Sequence, residues 1–476
     1  MKEDLKHKTK VGLYWTFLNQ GAIKVLTFIV GIIMARILSP EDYGIAALPA
    51  VFFAIAGIFV NSGFSQALVR KPEVSDKDLS TAFYYSIAMG VFIYAILFFM
   101  APFIAAFFNT PILTSLVRVS ALTFLWGPII TPQSVILQRK LDFKTPARIS
   151  VVTQIIGAIV GVIAAYNGFG LWALIIMTIV SSLLNLIQTW WVVKWVPTER
   201  WDKESFKYLW GFGNKMLGVG LIEAVYNNIT PIFIGKFYST KDLGYYNRAL
   251  GYAQLPSSYI SNMVQSVTFP TLSKVQEDNE KLGQSYRKLL RSLSFIVFPL
   301  MFLLGALAEP LIVTLLTDKW LKSVLYLRLM CVWWCWVPIH QINGNLLLVK
   351  GKSDVVFKLT LFKRAIALTI MFFSLPLGIV PFLIGSIINS LLVLAINTYY
   401  TGKFIHVGFI RQMTDVFPIL LLAFVSASMA YFVSLLFTNM ILQIIIAGSC
   451  GLAVYAGVAM ALKFPELQEV KYMLKR

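Results

Sequence analysis

The sequence predicts an all-α integral membrane protein with about fourteen transmembrane helices, and three observations support this fold class. The 476 residues are 58% hydrophobic and only 13% charged, with a mean hydropathy of +0.74. Apolar runs of about twenty residues recur along the chain, long enough to cross about 30 Å of hydrocarbon as helices. The connections between these runs are short and many are basic.

Fourteen apolar runs can be placed, and the fifth and eleventh are the shortest. Their approximate spans are 11–35, 43–65, 82–108, 112–136, 148–166, 170–194, 207–235, 245–270, 290–316, 323–348, 356–374, 379–401, 414–436 and 440–462.

The lysine and arginine residues predict the orientation. Most of the 41 lie in segments on the same side of the membrane as both termini. Short loops rich in Lys and Arg stay in the cytoplasm, so both termini are predicted to be cytoplasmic. This distribution also accounts for the net charge of +19 without a nucleic-acid partner. Segments on the other side contain only Arg36, Lys236, Lys241, Arg248, Lys319 and Lys322.

The chain also contains an internal repeat. The segment Arg118–Lys140 aligns without gaps on Arg328–Lys350, and Leu38–Gly44 matches Tyr238–Gly244. Six predicted helices separate each matched pair, so the two copies share one orientation, as in parallel-repeat transporters with a substrate path between the repeats. We therefore predict two six-helix lobes, at 1–205 and 206–405, followed by two helices and a cytoplasmic tail at 406–476. Matched positions include Trp126 with Trp336, Pro128 with Pro338, and Lys140 with Lys350.

Charged side chains within the spans mark candidate binding residues, because charge inside a bilayer is costly and usually faces a cavity or a partner. Six basic residues lie within spans and away from their ends, and Glu223 is the one deep acid. The excess of positive charge predicts an anionic ligand. The predicted substrate-binding residues are Lys24, Lys215, Arg118, Arg328, Lys363 and Arg364, with Asn19, Gln20 and Asn214 beside the two central lysines.

Some of these residues have a second interpretation. Lys363 and Arg364 lie near the cytoplasmic end of their helix and could extend to the interface, and Arg118 and Arg328 could extend outward in the same way. Glu223 is the candidate for coupling to protons or sodium, or it pairs with a lumen lysine. Cys331 and Cys335 lie off the helix face of His340. Packing is therefore predicted for them, without a metal or cofactor.

Two motifs carry a family resemblance. Residues 35–44, Ala-Arg-Ile-Leu-Ser-Pro-Glu-Asp-Tyr-Gly, and residues 63–69, Gly-Phe-Ser-Gln-Ala-Leu-Val, resemble the N-terminal region of Wzx-type polysaccharide flippases. The likeness is to the colanic-acid-exporter branch of the multidrug/oligosaccharidyl-lipid/polysaccharide superfamily. It implies that an undecaprenyl-diphosphate-linked oligosaccharide is moved from the cytoplasmic to the periplasmic leaflet of a bacterial inner membrane. It also implies alternating access and a role in lipopolysaccharide or exopolysaccharide synthesis.

Alternative functions remain open at this stage. A lipid II flippase of the same superfamily would also have a cationic lumen, whereas a drug/cation antiporter would have an acidic one. A membrane polysaccharide polymerase or ligase would present a sizeable external loop, and every external connection here is short. The sequence therefore predicts a transporter rather than an enzyme. Its expected surroundings are membrane lipids, with a polymerase and glycosyltransferases as candidate partners.

Overall fold

The computed structural model describes the backbone of residues 2–61 and 63–467. Side chains are described in the same ranges, except those of 2–14, 16–18, 215, 216, 219, 263, 266 and 267. The chain forms two compact units, Met1–Gly244 and Tyr245–Arg476. This division falls after the seventh predicted span, whereas the predicted lobe boundary precedes it. The division at 205 and 405 therefore stays a prediction about the duplication.

The first unit consists of helices joined by short turns. They are α1 Lys2–Ile37, α2 Pro40–Ala47, α3 Ala50–Asn61, α4 Phe64–Arg70, α5 Asp76–Phe107, α6 Leu113–Ala121, α7 Thr123–Trp126, α8 Thr131–Arg139, α9 Lys144–Tyr166, α10 Trp172–Val193 and α11 Lys203–Phe237.

The next helix begins in the first unit, and the helices after it belong to the second. They are α12 Thr240–Ser273, α13 Asn279–Ala306, α14 Ala308–Leu316, α15 Lys322–Trp334, α16 Val337–Val349, α17 Ser353–Ser374, α18 Ile379–Ile405, α19 Phe409–Ser434, α20 Met440–Leu442 and α21 Gly448–Ala461.

Two pairs of repeat mates have nearly equal helix lengths. Helix α1 has 36 residues and its mate α11 has 35, while α9 has 23 and its mate α17 has 22. The matched proline positions also interrupt their helices in the same way. A 3₁₀ turn containing Pro128 separates α7 from α8, and α15 ends just before α16 starts next to Pro338. Proline lacks the backbone donor that continues a helix, so both helices are interrupted at these positions.

Ten helical segments of the described chain are long and apolar enough to cross a membrane. The other four predicted spans, 207–235, 245–270, 323–348 and 356–374, are helical and are not among the ten found in the described residues. The total of fourteen spans stays a prediction. The ten are Asn19–Ile37, Pro40–Arg70, Asp76–Phe107, Leu113–Arg139, Lys144–Tyr166, Trp172–Val193, Asn279–Ala306, Ile379–Ile405, Phe409–Ser434 and Met440–Ala461.

A short break separates α12 from α13. Helix α12 continues to Ser273, and α13 begins at Asn279. The cause is Asp278, whose carboxylate accepts the backbone N–H groups of Glu280 and Lys281, both at 3.1 Å. These bonds satisfy the first turn of α13. The backbone hydrogen bond from Lys281 is the main cause that holds the pKa of Asp278 below its ordinary value.

Candidate functional site

The two copies of the Leu38–Gly44 motif form the same capped turn. Ser39 Oγ accepts the backbone N–H of Asp42 at 3.1 Å, and the Asp42 carboxylate accepts the backbone N–H of Ser39 at 2.9 Å. In the second copy, Ser239 Oγ accepts the backbone N–H of Asp242 at 3.0 Å and donates to its carboxylate at 2.8 Å. Each turn starts a helix with a serine that caps its first backbone N–H groups, and the first copy is also a reciprocal capping box. The repeat is therefore preserved at the level of individual hydrogen bonds.

These turns contact each other through glycine. A Cβ atom built on Gly44 would lie 1.7 Å from the carbonyl oxygen of Thr240, and one on Gly244 would lie 1.9 Å from that of Pro40. Pro40 and Thr240 are equivalent positions of the repeat, so the contact is symmetric. The first unit thus contains a backbone-to-backbone junction, which we call the glycine seam (Pro40, Gly44, Thr240 and Gly244). No side chain larger than hydrogen fits at either glycine.

The predicted residues of α1 and α11 lie in the first unit. Lys24 and Asn19 are half-buried on α1, and the side-chain oxygen of Asn19 is buried without a hydrogen-bond partner among the described residues. Gln20 is exposed, as are Asn214 and Glu223 on α11. The side chain of Lys215 lies outside the described residues. The binding and coupling roles of this group stay predictions.

The repeat mates Arg118 and Arg328 have different partners. Arg118 Nε donates to the carbonyl oxygen of Phe98 at 3.2 Å, and its guanidinium lies 4.1 Å from the centre of the Phe98 ring. Arg328 Nη2 lies 3.4 Å from a carboxylate oxygen of Glu309 and its guanidinium 5.6 Å from the Tyr431 ring. The described partners of Arg118 are therefore neutral groups, whereas the charge of Arg328 is balanced by the carboxylate of Glu309.

Lys363 lies in a buried polar cluster of the second unit. Its ammonium donates to Asn397 Oδ1 at 3.0 Å, and His340 Nε2 lies 2.9 Å from Ser390 Oγ. Asn397 and Ser390 are only 2% and 3% exposed. We call these four residues, contributed by the mutually packed helices α16, α17 and α18, the Lys363 cluster. Arg364, the next residue along α17, is half-buried.

The Lys363 cluster contains two further buried side-chain nitrogens. Asn397 Nδ2 and His340 Nδ1 are buried with no hydrogen-bond partner in the described part of the chain. No described carboxylate lies within ion-pair distance of Lys363. A cation in a medium of low dielectric is stable only when an anion or strong dipoles compensate it. The arrangement therefore suits an anionic group, such as a phosphate or a carboxylate.

Comparison with known proteins shows the family to which the chain belongs. The family described as "Polysaccharide biosynthesis protein" matches residues 33–325, which include both copies of the capped turn. The chain belongs to this family. It is 26% identical to the teichuronic acid biosynthesis protein TuaB of Bacillus subtilis over 348 residues, 73% of this chain and 72% of that protein. It is 24% identical to the lipopolysaccharide biosynthesis protein WzxC of Escherichia coli over 400 residues, 83% of this chain and 80% of that protein.

A solved structure shares the fold of this polysaccharide biosynthesis protein. The lipid II flippase MurJ in an inward closed conformation matches with a TM-score of 0.75 and 16% identity, over 96% of this chain and 99% of that one. At this identity the likeness concerns the fold. The predicted helical membrane fold and the resemblance to Wzx-type proteins are thereby confirmed.

Sequence reasoning missed the partners of Lys363. His340 was considered only beside the two cysteines, and Asn397 was one of many polar residues within spans. Asn397 lies 34 positions beyond Lys363, so neither helical period nor repeat register relates the two. The usable signal was that His340 is a histidine within a predicted span, which by itself marks a functional position.

Proposed function

We propose that this polysaccharide biosynthesis protein is a flippase for a lipid-linked oligosaccharide. It moves an undecaprenyl-diphosphate-linked repeat unit from the cytoplasmic to the periplasmic leaflet of the bacterial inner membrane, for assembly of a surface polysaccharide. The observation that carries the proposal is the duplicated helical fold, which this chain shares over almost its full length with a flippase of a lipid-linked precursor. The protein acts by transport, with its termini in the cytoplasm.

Alternating access is the proposed mechanism. The glycine seam lies between the first and second spans and between their repeat mates, on the side that the charge distribution assigns to the periplasm. A seam closed by backbone contact excludes a lipid headgroup from that side. Translocation therefore requires the two capped turns to separate and then to close again, as packed elements do in two-state transporters.

The basic residues within the spans are the proposed contacts for the diphosphate or for acidic sugars. Lys24 and Lys215 occupy paired helices of the repeat. The Lys363 cluster supplies a third cation, beside buried polar atoms with no hydrogen-bond partner among the described residues. Arg118, Arg328 and Arg364 are proposed as additional contacts. Glu223 is the proposed coupling residue for protons or sodium. A polymerase that consumes the flipped unit and glycosyltransferases that build it are the proposed neighbours.

We expect the double variant Lys24→Gln and Lys215→Gln to lose surface polysaccharide while its amount in the membrane stays normal. Each lysine removed takes away a charged hydrogen bond of about 1.5–3 kcal/mol to an anionic headgroup. Lys207→Gln removes an exposed charge from the same helix as Lys215 and serves as the matched control. Wild-type polysaccharide display by the double variant would rule out a binding role for the pair.

Deleting the gene and analysing lipid-linked intermediates tests the function itself. We expect a complete repeat unit on its undecaprenyl carrier to accumulate on the cytoplasmic leaflet, with loss of the surface polymer. Accumulation of lipid II with cell lysis would instead assign the peptidoglycan precursor as substrate. Unchanged glycans together with altered sensitivity to cationic drugs would contradict the proposal in favour of an antiporter.

A further inference from the structure

The second unit contains a polar groove that is separate from all the predicted substrate residues. Two adjoining cavities, of about 350 and 250 Å³, share Gln284 and Arg287 on the first turns of α13. The larger one extends to the turn between α18 and α19, and the smaller one to the segment after α21. The groove is thus walled by three elements that are distant in sequence.

Buried carboxylates hold the arginines of this groove in place. Arg287 donates to both oxygens of Asp415, from Nε at 2.6 Å and from Nη2 at 2.7 Å. Arg291 pairs with Glu466, and its Nη1 lies 3.9 Å from Asp415. The two carboxylate side chains are 4% and 3% exposed, whereas about a third of each arginine side chain stays accessible. The groove is therefore a preformed site with fixed guanidinium groups.

The lining carries a positive excess. Four cations border the groove, namely Arg287, Arg291, Lys288 and Arg411, against three carboxylates: Glu280 and Glu466 in the lining, and Asp415, which is paired with Arg287. Glu466 is already engaged by Arg291. Guanidinium groups bind the oxygens of a phosphate in a bidentate manner. The accessible charge thus suits a singly charged phosphate ester.

Apolar side chains adjoin the groove where a membrane would begin. Phe409 and Ile410, directly before Arg411, are 46% and 79% exposed, and Leu462 at the end of α21 is also exposed. The charge distribution places this end of the unit at the cytoplasmic surface, where anionic lipids attract basic residues. A phospholipid needs cations for its headgroup and apolar side chains for its acyl chains, and the groove offers both.

We propose that this groove binds the phosphodiester headgroup of an anionic phospholipid of the cytoplasmic leaflet, of the phosphatidylglycerol type. The acyl chains lie against the exposed apolar side chains of α19 and α21. A soluble phosphate would use the cations alone and would leave those side chains in water. The proposal rests on the groove and stands independently of the transported substrate.

The test is equilibrium binding of phosphatidylglycerol to the purified full-length protein, measured by native mass spectrometry with phosphatidylcholine as the reference lipid. We expect one phosphatidylglycerol to be retained selectively, and its affinity to fall at least about tenfold in the double variant Lys288→Gln and Arg411→Gln, because two charged contacts are lost. Arg287 and Arg291 are left intact, since their removal would strand buried carboxylates.

A matched control removes two cytoplasmic charges outside the groove, by Lys281→Gln and Lys403→Gln. An equal loss of affinity in that control would overturn the proposal, because general surface charge would then explain the binding. Equal retention of phosphatidylcholine would overturn it in favour of a purely apolar contact. Full competition by millimolar inorganic phosphate would overturn it in favour of a soluble anion.

Discussion

Alanine at Gly44 is expected to abolish surface polysaccharide without removing the protein from the membrane. The added methyl group would lie 1.7 Å from the carbonyl oxygen of Thr240, and the obstacle is backbone rather than a side chain that can rotate. Because non-bonded carbon contacts lie near 3.5–4.0 Å, the two capped turns must move apart by more than about 1 Å. Overpacking of this kind costs about 1–3 kcal/mol, which changes the ratio of closed to open states roughly 5- to 150-fold.

Gly244→Ala is expected to have the same effect, because its methyl group would meet the equivalent carbonyl of Pro40 at 1.9 Å. Both substitutions open one junction, so the double variant should be no worse than either single variant. Non-additivity of this kind is expected only for residues that share a contact. If the double variant loses twice as much surface polysaccharide, in free-energy terms, as a single variant, the two glycines act separately.

Gly57→Ala is the matched control for the seam. Gly57 lies on α3 in the same unit, and a Cβ atom there would have no neighbour within 4 Å. Alanine in a helix interior is more stable than glycine by roughly 0.5–1 kcal/mol, so this variant should transport normally. The amount of each variant in the membrane reports on folding, and its surface glycan reports on transport. Normal display by Gly44→Ala would contradict the need for a closed seam.

The repeat explains why so much of the fold was predictable. Trp126 and Pro128 recur as Trp336 and Pro338, and the structure interrupts both helices at these points. Local hydrogen bonding depends on nearby residues, so a motif copied in sequence is copied in shape. The capped turns at Ser39 and Ser239 follow the same rule.

Contacts between helices were not predictable in the same way. The offset between Gly44 and Gly244 shows that they are equivalent, but not that they touch. Arg328 was recognised as a charge within a span, yet its pairing with Glu309 depends on how α14 packs against α15.

Breaks inside a span were missed for a related reason. The second predicted span, 43–65, is divided among α2, α3 and α4. Gly63, which precedes α4, has a φ of 68°, in the left-handed region that favours glycine. Hydropathy alone does not predict a turn within an apolar segment, although the glycine that begins the 63–69 motif lies at this turn.

Gln at Lys363 is expected to reduce transport while leaving the protein at least as stable as the wild type. Lys363 is a cation with no described acid in reach, hydrogen-bonded to a buried amide at 3.0 Å. Keeping such a charge at low dielectric costs free energy, so Gln should raise or preserve the midpoint of thermal unfolding. The same change removes a charged contact of about 1.5–3 kcal/mol to an anionic substrate, so surface glycan should fall by about tenfold or more.

A loss of transport without a loss of stability distinguishes a binding role of Lys363 from a packing role. A structural lysine would lose stability together with transport, whereas a binding lysine is retained at a cost in stability, as is common at functional sites. Lys358→Gln removes an exposed charge from the same helix and should alter neither quantity. Lys363→Arg keeps the charge and should preserve part of the transport. If Lys363→Gln is destabilised and Lys363→Arg fully restores stability, the Lys363 cluster holds helices together and the anionic group must bind elsewhere.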